Sequence, residues 1–336
     1  MLSESIKRIR PMFSFTLTVL AISHFSFAQE GRAKQVRSNA IHQDAIHQDA
    51  IGHSHAPIVV NSRPVVTQYA ISLSRPRRLV SDSEGNLYVA DWVDGTVTKI
   101  DGDGNVTIIA EDFDQPAGLA FDNRGLLYIS EHAQGIVKAG AIYRINRRGE
   151  KKLFVKGLNG PSGLAFDSQN NLYVANYQDN SISKISLDRS VTTFAVNIPA
   201  PSDVIVDKKD RVYVTSSTEG KVYRINRMGA LETVARGLSA PSDLALDEDD
   251  SLVVTNFGDG TLTHIARDGK TFPFAAVPAG TIACCFDNSN NLYLLNWELR
   301  QLTKITSRFS VPCPHCGKKI PILLKPKNQV KKMTDF

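Results

Sequence analysis

Two stretches of the sequence decide the fold: QPAGLAFD at residues 115–122 and GPSGLAFD at residues 160–167. Each is followed, after a short turn, by a strand-like run, GLLYIS at residues 125–130 and NLYVAN at residues 171–176. The pattern occurs six times, and its closing aspartates are spaced by 40, 45, 40, 40 and 40 residues (Asp82, Asp122, Asp167, Asp207, Asp247 and Asp287). Self-similarity at a fixed period of this length indicates a repeat architecture.

Each unit reads as short strands of alternating apolar and polar residues, joined by turns rich in Gly, Asn and Asp. Such turns are typical of β-hairpins, and no stretch keeps the 3.6-residue period of an amphipathic helix. A unit of about 40 residues with four strands has the size of one propeller blade. The sequence therefore predicts an all-β fold, a six-bladed β-propeller over residues 64–312.

The outer strand of the sixth blade is missing where the repeat would place it. In that phase the chain reads VPCPH at residues 311–315, and its two prolines disfavour an ordinary ladder strand. A matching strand, Val66 to Ala70, instead lies ten residues ahead of Pro76, as Val106 does ahead of Pro116. We therefore predict that a strand near the N-terminus completes the sixth blade and closes the ring.

The first 28 residues have the pattern of a secretory signal peptide. Three basic residues up to Arg10 precede an apolar run from Met12 to Phe27, and Ser26 and Ala28 supply the small residues of a cleavage site before Gln29. A retained anchor is the alternative, although a run of about 16 residues is shorter than the roughly 20 that span a bilayer. We expect export to the periplasm or the outside, and no transmembrane segment once the signal is removed.

Residues 29–63 read as a polar linker that contains the tandem pentapeptide AIHQD, with weak metal capture by its histidines as the alternative. Residues 313–336 form a basic tail with a C-x-x-C pair, Cys313 and Cys316, for which we expect a local disulfide, a zinc half-site or a redox pair. The tail holds six lysines and one aspartate, which equals the chain's net charge of +5. The rest is neutral in sum, so no nucleic-acid partner is expected.

The quoted stretches resemble NHL repeats, and the resemblance covers all six units. NHL-type propellers share their architecture with the gluconolactonase/senescence-marker family, the streptogramin lyases and the extracellular sensor domains of some bacterial kinases. The resemblance therefore implies a fold and leaves the choice among these activities open.

Residues nine and ten places after each repeat aspartate should form a ring at one mouth of the central channel. They are Asp91-Trp92, Glu131-His132, Asn176-Tyr177, Ser216-Ser217, Asn256-Phe257 and Asn296-Trp297. The polar members either bind turn amides or form a ligand rim, with the aromatic residues stacking a sugar or peptide ring. The candidate ligand-binding residues are Asp91, Trp92, Glu131, His132, Tyr177, Asn256, Phe257, Asn296 and Trp297. Asp91 and Glu131 are the candidate ligands for calcium or magnesium.

Resemblance to the gluconolactonase family implies acidic and asparagine metal ligands at the start of the inner strands. None of the residues after the repeat prolines fits, since they are Arg77, Ala117, Ser162, Ser202, Ser242 and Ile282. One place further on, Asp203 and Asp243 are candidates to face the channel, and Arg78 at the same position in blade 1 is a candidate partner for Asp203 across it, if the channel is narrow enough. The catalytic candidates are Glu131, His132, Asp203 and Asp243, whereas Cys284 and Cys285 are expected to be buried core.

We thus expect an exported, non-catalytic propeller that binds a small molecule or a protein partner at the channel mouth. The alternative is a metal-dependent lactonase or a streptogramin-lyase-like enzyme, with a divalent cation acting as the Lewis acid. Retention of calcium or magnesium would separate the two.

Overall fold

A computed structural model describes residues 65–69, 73–133, 136–146, 148–306, 310–312 and 319–321. They belong to a compact unit that spans Ile58–Phe336. No helix in this described part is long and apolar enough to cross a membrane. The predicted signal peptide and linker, together with Cys313 and Cys316, lie outside the described residues.

Six four-stranded antiparallel sheets make up the fold, and four strands that follow one another in the chain form each of the first five. The strands of blades 1 to 3 are β2 Pro76–Ser81, β3 Leu87–Asp91, β4 Thr96–Ile100, β5 Val106–Ala110; β6 Pro116–Phe121, β7 Leu127–Glu131, β8 Gly140–Ile145, β9 Lys151–Leu158; and β10 Pro161–Phe166, β11 Leu172–Asn176, β12 Ser181–Ile185, β13 Val191–Val196. Those of blades 4 to 6 are β14 Pro201–Val206, β15 Val212–Ser216, β16 Lys221–Ile225, β17 Leu231–Arg236; β18 Pro241–Leu246, β19 Leu252–Asn256, β20 Thr261–Ile265, β21 Thr271–Ala276; and β22 Thr281–Phe286, β23 Leu292–Asn296, β24 Gln301–Thr306, joined by β1 Val65–Tyr69.

The first strand of each blade lies at the centre of the ring. These six strands contact one another in sequence, and β22 of the last blade contacts β2 of the first. They therefore surround a central channel, and the predicted six-bladed propeller is confirmed.

The ring is closed by the N-terminal strand, as predicted. β1 pairs with β24 in an antiparallel ladder from Val65 opposite Thr306 to Tyr69 opposite Leu302. The chain beyond blade 6 forms a separate hairpin of β25 (Ser310–Pro312) and β26 (Lys319–Pro321). Pro312 and Pro321 stand at the ends of this short ladder, where a missing N–H is tolerated, so the prolines do not prevent this pairing.

The core is divided among the blade interfaces. Six apolar clusters are present, and each joins two neighbouring blades. Along β3, Val89 packs towards blade 6, while Tyr88 and Ala90 pack towards blade 2. Successive side chains of a strand point to opposite faces, so a blade covered on both faces needs an almost continuous apolar run. This requirement accounts for the runs around the repeat tyrosines.

The repeat aspartates stabilise the turns between the first two strands. The Oδ1 atom of Asp287 accepts hydrogen bonds from the amides of Ser289 and Asn291 at 2.9 Å, and Oδ2 accepts one from the Tyr293 hydroxyl at 3.0 Å. Asp82 makes the same bonds in blade 1, including one from Tyr88 at 3.0 Å. The signature aspartate is therefore structural and lies at the opposite end of the inner strand from the predicted rim.

Candidate functional site

A bulge at the start of every inner strand shapes the channel mouth. The pairing of β2 with β3 shifts register between Pro76 and Arg78, and a shift also follows the first inner-strand residue in the other five blades. A bulge inserts a residue and re-aims the local side chains. In blade 1 this places two arginines, Arg77 and Arg78, at the mouth.

The carboxylate of Asp91, the first predicted rim residue, is occupied by hydrogen bonds from backbone amides. It accepts hydrogen bonds from the amides of Ser74 at 2.7 Å and Arg75 at 3.1 Å, which lie in the segment leading to β2. It also accepts from the amides of Val93 and Asp94 at 3.2 Å, in the turn after β3. Asp91 is 1% exposed, so its oxygens tie two loops together and do not face the mouth.

The equivalent residues of other blades have similar roles. Glu131 accepts a hydrogen bond from the Asp114 amide at 2.8 Å and lies 3.6 Å from Lys151 Nζ. The Asn296 amide group donates to the Ala279 carbonyl at 2.8 Å, and Asn256 donates to two threonine hydroxyls of its own blade. The geometry favours the turn-binding interpretation and does not join Asp91 and Glu131 in one ligand set.

The aromatic residues of the ring separate into two groups. Trp92, His132 and Tyr177 form a contiguous wall over blades 1 to 3, with ring centroids 5.1 Å apart for Trp92 and His132 and 6.1 Å apart for His132 and Tyr177. Phe257 and Trp297 instead pack against the apolar cluster between blades 6 and 1. We call the first group the aromatic wall.

A buried ionic triad spans the channel beside the mouth. The Arg78 guanidinium donates through Nη2 to Asp203 Oδ1 at 2.6 Å, and its Nη1 contacts Asp243 Oδ1. The remaining carboxylate oxygens accept from backbone amides, that of Leu244 at 2.9 Å for Asp203 and that of Cys284 at 2.8 Å for Asp243. The predicted contact across the channel between Arg78 and Asp203 is therefore present, and Asp243 is its third member.

Two glycines allow neighbouring inner strands to approach closely, and one of them adjoins the triad. Gly118 and Gly163 hold the position of Arg78 in blades 2 and 3. A Cβ on Gly163 would lie 2.3 Å from Asp203 Oδ1, and one on Gly118 would lie 1.9 Å from the Ser162 carbonyl oxygen. Inner strands at this spacing leave no room for a side chain at either glycine position.

The electrostatics of the mouth follow from burial. Burial raises the pKa of Asp203, an effect that Arg78 and the Leu244 amide partly offset. Burial and the adjacent Arg78 lower the pKa of Arg77 to about 10, so its guanidinium stays charged at neutral pH. Burial and Arg77 lower the pKa of His132 to about 4, so its imidazole is neutral. The Arg77 guanidinium is therefore a charged group beside a neutral imidazole at the inner mouth.

The triad lines one part of a channel cavity of about 380 Å³. Arg78, Asp203 and Asp243 lie at the beginning of its lining strands, and Phe121, Phe166 and Phe286 lie at their ends. Cys284 and Cys285 line the cavity and are buried, as predicted, and burial raises the Cys284 pKa to about 12. These thiols are therefore protonated and unreactive at neutral pH.

Residues 118–296 match the family model described as "SMP-30/Gluconolactonase/LRE-like region". The chain belongs to this family. The predicted relationship to the gluconolactonases is thereby confirmed for this SMP-30/gluconolactonase-like propeller. No curated protein sequence matches it.

Solved structures with different activities have the same fold. A gluconolactonase from Xanthomonas campestris is 17% identical over 72% of this chain and 89% of its own, with a TM-score of 0.63. A virginiamycin B lyase from Staphylococcus aureus is 15% identical over 73% and 99%, with a TM-score of 0.57. An auxiliary nutrient binding protein from Bacteroides ovatus is 15% identical over 73% and 76%, with a TM-score of 0.62. Likeness at these identities shows the fold alone.

The residues of this SMP-30/gluconolactonase-like propeller do not fit the cation that the family resemblance implies. Asp203 and Asp243 are the channel carboxylates best placed for such a site, and the Arg78 guanidinium lies against both. Their other oxygens accept amide hydrogen bonds, so no pair of free oxygen ligands points into the channel. Among the described residues, no three His, Cys, Asp or Glu side chains are grouped as a metal site would need. We therefore derive no step through a metal.

Arg77 is the mouth residue that sequence reasoning passed over, except as a residue that is not a carboxylate. A signal was present, because Arg77 is the one charged residue among the six that follow the first inner-strand positions. In the structure its Cζ lies 5.5 Å from the Trp92 ring centroid, so it extends the aromatic wall towards the channel.

Proposed function

We propose that this SMP-30/gluconolactonase-like propeller is a non-catalytic binding module that takes its ligand or protein partner at the channel mouth. The ionic triad carries the proposal, because the Arg78 guanidinium is ion-paired with both channel carboxylates. Catalysis by Asp203 or Asp243 would need a free carboxylate, and both are tied to a cation and an amide. The aromatic wall beside the triad keeps exposed ring surface, with Tyr177 37% exposed.

The remaining catalytic candidates support the same proposal. Glu131 binds a loop amide, and His132 is a neutral, buried ring whose Nδ1 lies 3.3 Å from the Pro161 carbonyl oxygen. A carbonyl only accepts, so this contact places the His132 proton on Nδ1. Among solved structures of this fold, two are described as auxiliary nutrient binding proteins, so the architecture also suits binding without turnover.

A metal and turnover experiment separates binding from metal-dependent hydrolysis. We expect the purified protein, dialysed without chelator, to hold well under one equivalent of calcium or magnesium and to hydrolyse no member of a lactone panel above background. Added cation should leave the melting temperature within about 1 °C, since a site that binds only the folded state would raise it. Glu131→Ala is the matched variant: a stoichiometric cation that is lost in this variant, together with lactone turnover, would establish the enzyme alternative instead.

We further propose that the protein is exported. The basic start, the apolar run from Met12 to Phe27 and the small residues Ser26 and Ala28 support this proposal. N-terminal sequencing of protein expressed with its natural start should give a mature chain beginning at Gln29. An unprocessed Met1 on membrane-bound protein would indicate the retained anchor.

A further inference from the structure

We propose that the channel mouth is a binding site for small aromatic carboxylates, with the carboxylate on Arg77 and the ring against the aromatic wall of Trp92, His132 and Tyr177. The inference rests on the proposed function and gives the mouth a ligand class. It depends on three features of the mouth: the charge of Arg77, the position of that charge and the exposed ring surface beside it.

Burial lowers the pKa of the Arg77 guanidinium, and the attraction of Tyr177 and Asp203 offsets this effect only in part. The Arg77 side chain is half-buried, yet in the described part of the chain no carboxylate lies within ion-pair distance and no acceptor within hydrogen-bond distance. The neighbouring Arg78 differs, since its guanidinium contacts both Asp203 and Asp243. Withdrawing a charge from water costs free energy unless the charge is paired. An anion bound to the Arg77 guanidinium would offset that desolvation cost. The planar guanidinium matches a carboxylate with two parallel hydrogen bonds.

The position of Arg77 selects an organic anion over a mineral one. The guanidinium lies over Trp92, with 5.5 Å between Cζ and the ring centroid, so an anion bound to it lies beside aromatic surface. Asp203 is already ion-paired with Arg78 and lies beyond ion-pair distance of Arg77. His132 is uncharged and does not compete for the anion.

The ring surface beside Arg77 is exposed on Trp92 and Tyr177, whereas His132 is buried. Tyr177 is 37% exposed and Trp92 half-buried, with the His132 ring between them. Blade 4 continues the rim with Ser216 and Ser217, whose hydroxyls donate to loop carbonyls. The aromatic surface therefore ends after three blades, so it suits one planar ring carried next to a carboxylate.

Ligand binding at this site can be measured by the tryptophan fluorescence of the protein. The protein contains two tryptophans, Trp92 and Trp297, so a Trp297→Phe background leaves Trp92 as the single indole. We expect benzoate to quench Trp92 emission saturably, and benzamide, of the same shape without the charge, to bind at least about tenfold more weakly, since hydrogen bonds to charged groups are the stronger ones. Acetate and inorganic phosphate should also bind at least about tenfold more weakly, because neither carries a ring to stack.

Matched arginine variants assign the charge. In the same background, Arg77→Met should weaken benzoate binding about tenfold or more, and Arg77→Lys should restore part of it. Arg75→Met is the control: this exposed arginine lies over Trp297, 5.3 Å from its centroid, and its removal should leave benzoate affinity unchanged. Melting temperatures of all variants verify folding. No saturable quenching by millimolar benzoate, equal affinity for benzamide or phosphate, or full affinity in Arg77→Met would each overturn the inference.

The inference and the proposed function fail in different ways. A thermal-shift screen of a neutral ligand library would uphold the binding module and reject the carboxylate site if it found a ligand that needs Tyr177 but not Arg77. Lactone turnover with a retained cation would reject the binding module itself. The benzoate affinities of Arg77→Met and Arg77→Lys test the carboxylate site whichever of these two results is obtained.

Discussion

Deleting residues 65–69 should remove most of the stability of the propeller. The deletion takes away β1, which forms a five-residue ladder with β24, and leaves β24 as an unpaired edge in blade 6. At about 1 kcal/mol for each backbone hydrogen bond, with the packing of Tyr69 against the blade 6–1 cluster in addition, we expect a loss of about 4–6 kcal/mol. Typical domains are stable by about 5–15 kcal/mol, so the truncated protein should unfold at far lower denaturant or aggregate through the exposed edge.

Equilibrium unfolding in urea, followed by tryptophan fluorescence and circular dichroism, measures this loss. The control is a chain that begins at residue 64, which lacks the residues before β1 and keeps the strand itself. We expect this control to unfold at the midpoint of the full-length protein. If the chain without residues 65–69 shared that midpoint, the closure of the ring by β1 would be wrong, and with it the sites inferred from six-fold symmetry.

The fold was predictable from sequence because its determinants are local. Turn residues and apolar alternation recur with the repeat, and each blade uses the same Asp-to-amide bonds within a few residues, as in Asp287 with Ser289 and Asn291. The closing strand was predictable for the same reason, since Val66 has the phase of an outer strand. Only the pairing of residues 310–312 with 319–321 was missed, because prolines at the ends of a short ladder do not prevent it.

The site was predictable in position but not in orientation. The repeat placed Asp91 and Trp92 at the mouth, yet the amide of Ser74, 17 residues away, decides that the Asp91 carboxylate is occupied. Arg78 and Asp203 are 125 residues apart, and their contact depends on how closely Gly163 lets the inner strands approach. The importance of Arg77 rests on its lack of an ion-pair partner among the described residues, which depends on the surroundings of the side chain and not on any motif.

Arg78→Met should be strongly destabilising for a reason that can be separated from lost packing. Asp203 and Asp243 are both buried and both contact this guanidinium. Removing one member of a buried ionic group leaves uncompensated charge and typically costs about 3–5 kcal/mol. Met reproduces the aliphatic stem of Arg without the charged guanidinium, so the packing of the stem is largely retained. Arg224→Met is the matched control, because its partner Glu232 is exposed and such surface pairs contribute about 0–1 kcal/mol.

The pH dependence of the Arg78→Met variant tests the electrostatic origin of the loss. Burial already raises the pKa of Asp203 above its ordinary value, and removing the arginine removes the main effect that offsets it. A carboxyl whose pKa is raised by folding contributes stability below its unfolded pKa, about 3.9, and loses it as the pH rises through the folded value. The difference in unfolding free energy between wild type and Arg78→Met should therefore be largest near neutral pH and should shrink towards about pH 4.

Neutralising the carboxylates as well should restore most of the lost stability. In Arg78→Met/Asp203→Asn/Asp243→Asn, each asparagine keeps an oxygen to accept the amide hydrogen bonds of Leu244 and Cys284, and no buried charge remains. Replacing a whole buried ionic group by uncharged residues is often neutral or stabilising, so the triple variant should unfold closer to wild type than the single variant does. It should also lose the excess pH dependence. A triple variant that is less stable than Arg78→Met at pH 7 would mean that the carboxylates stabilise the channel without their cation. The pairing of Asp203 and Asp243 with Arg78, on which the proposed function rests, would then not be what holds them in place.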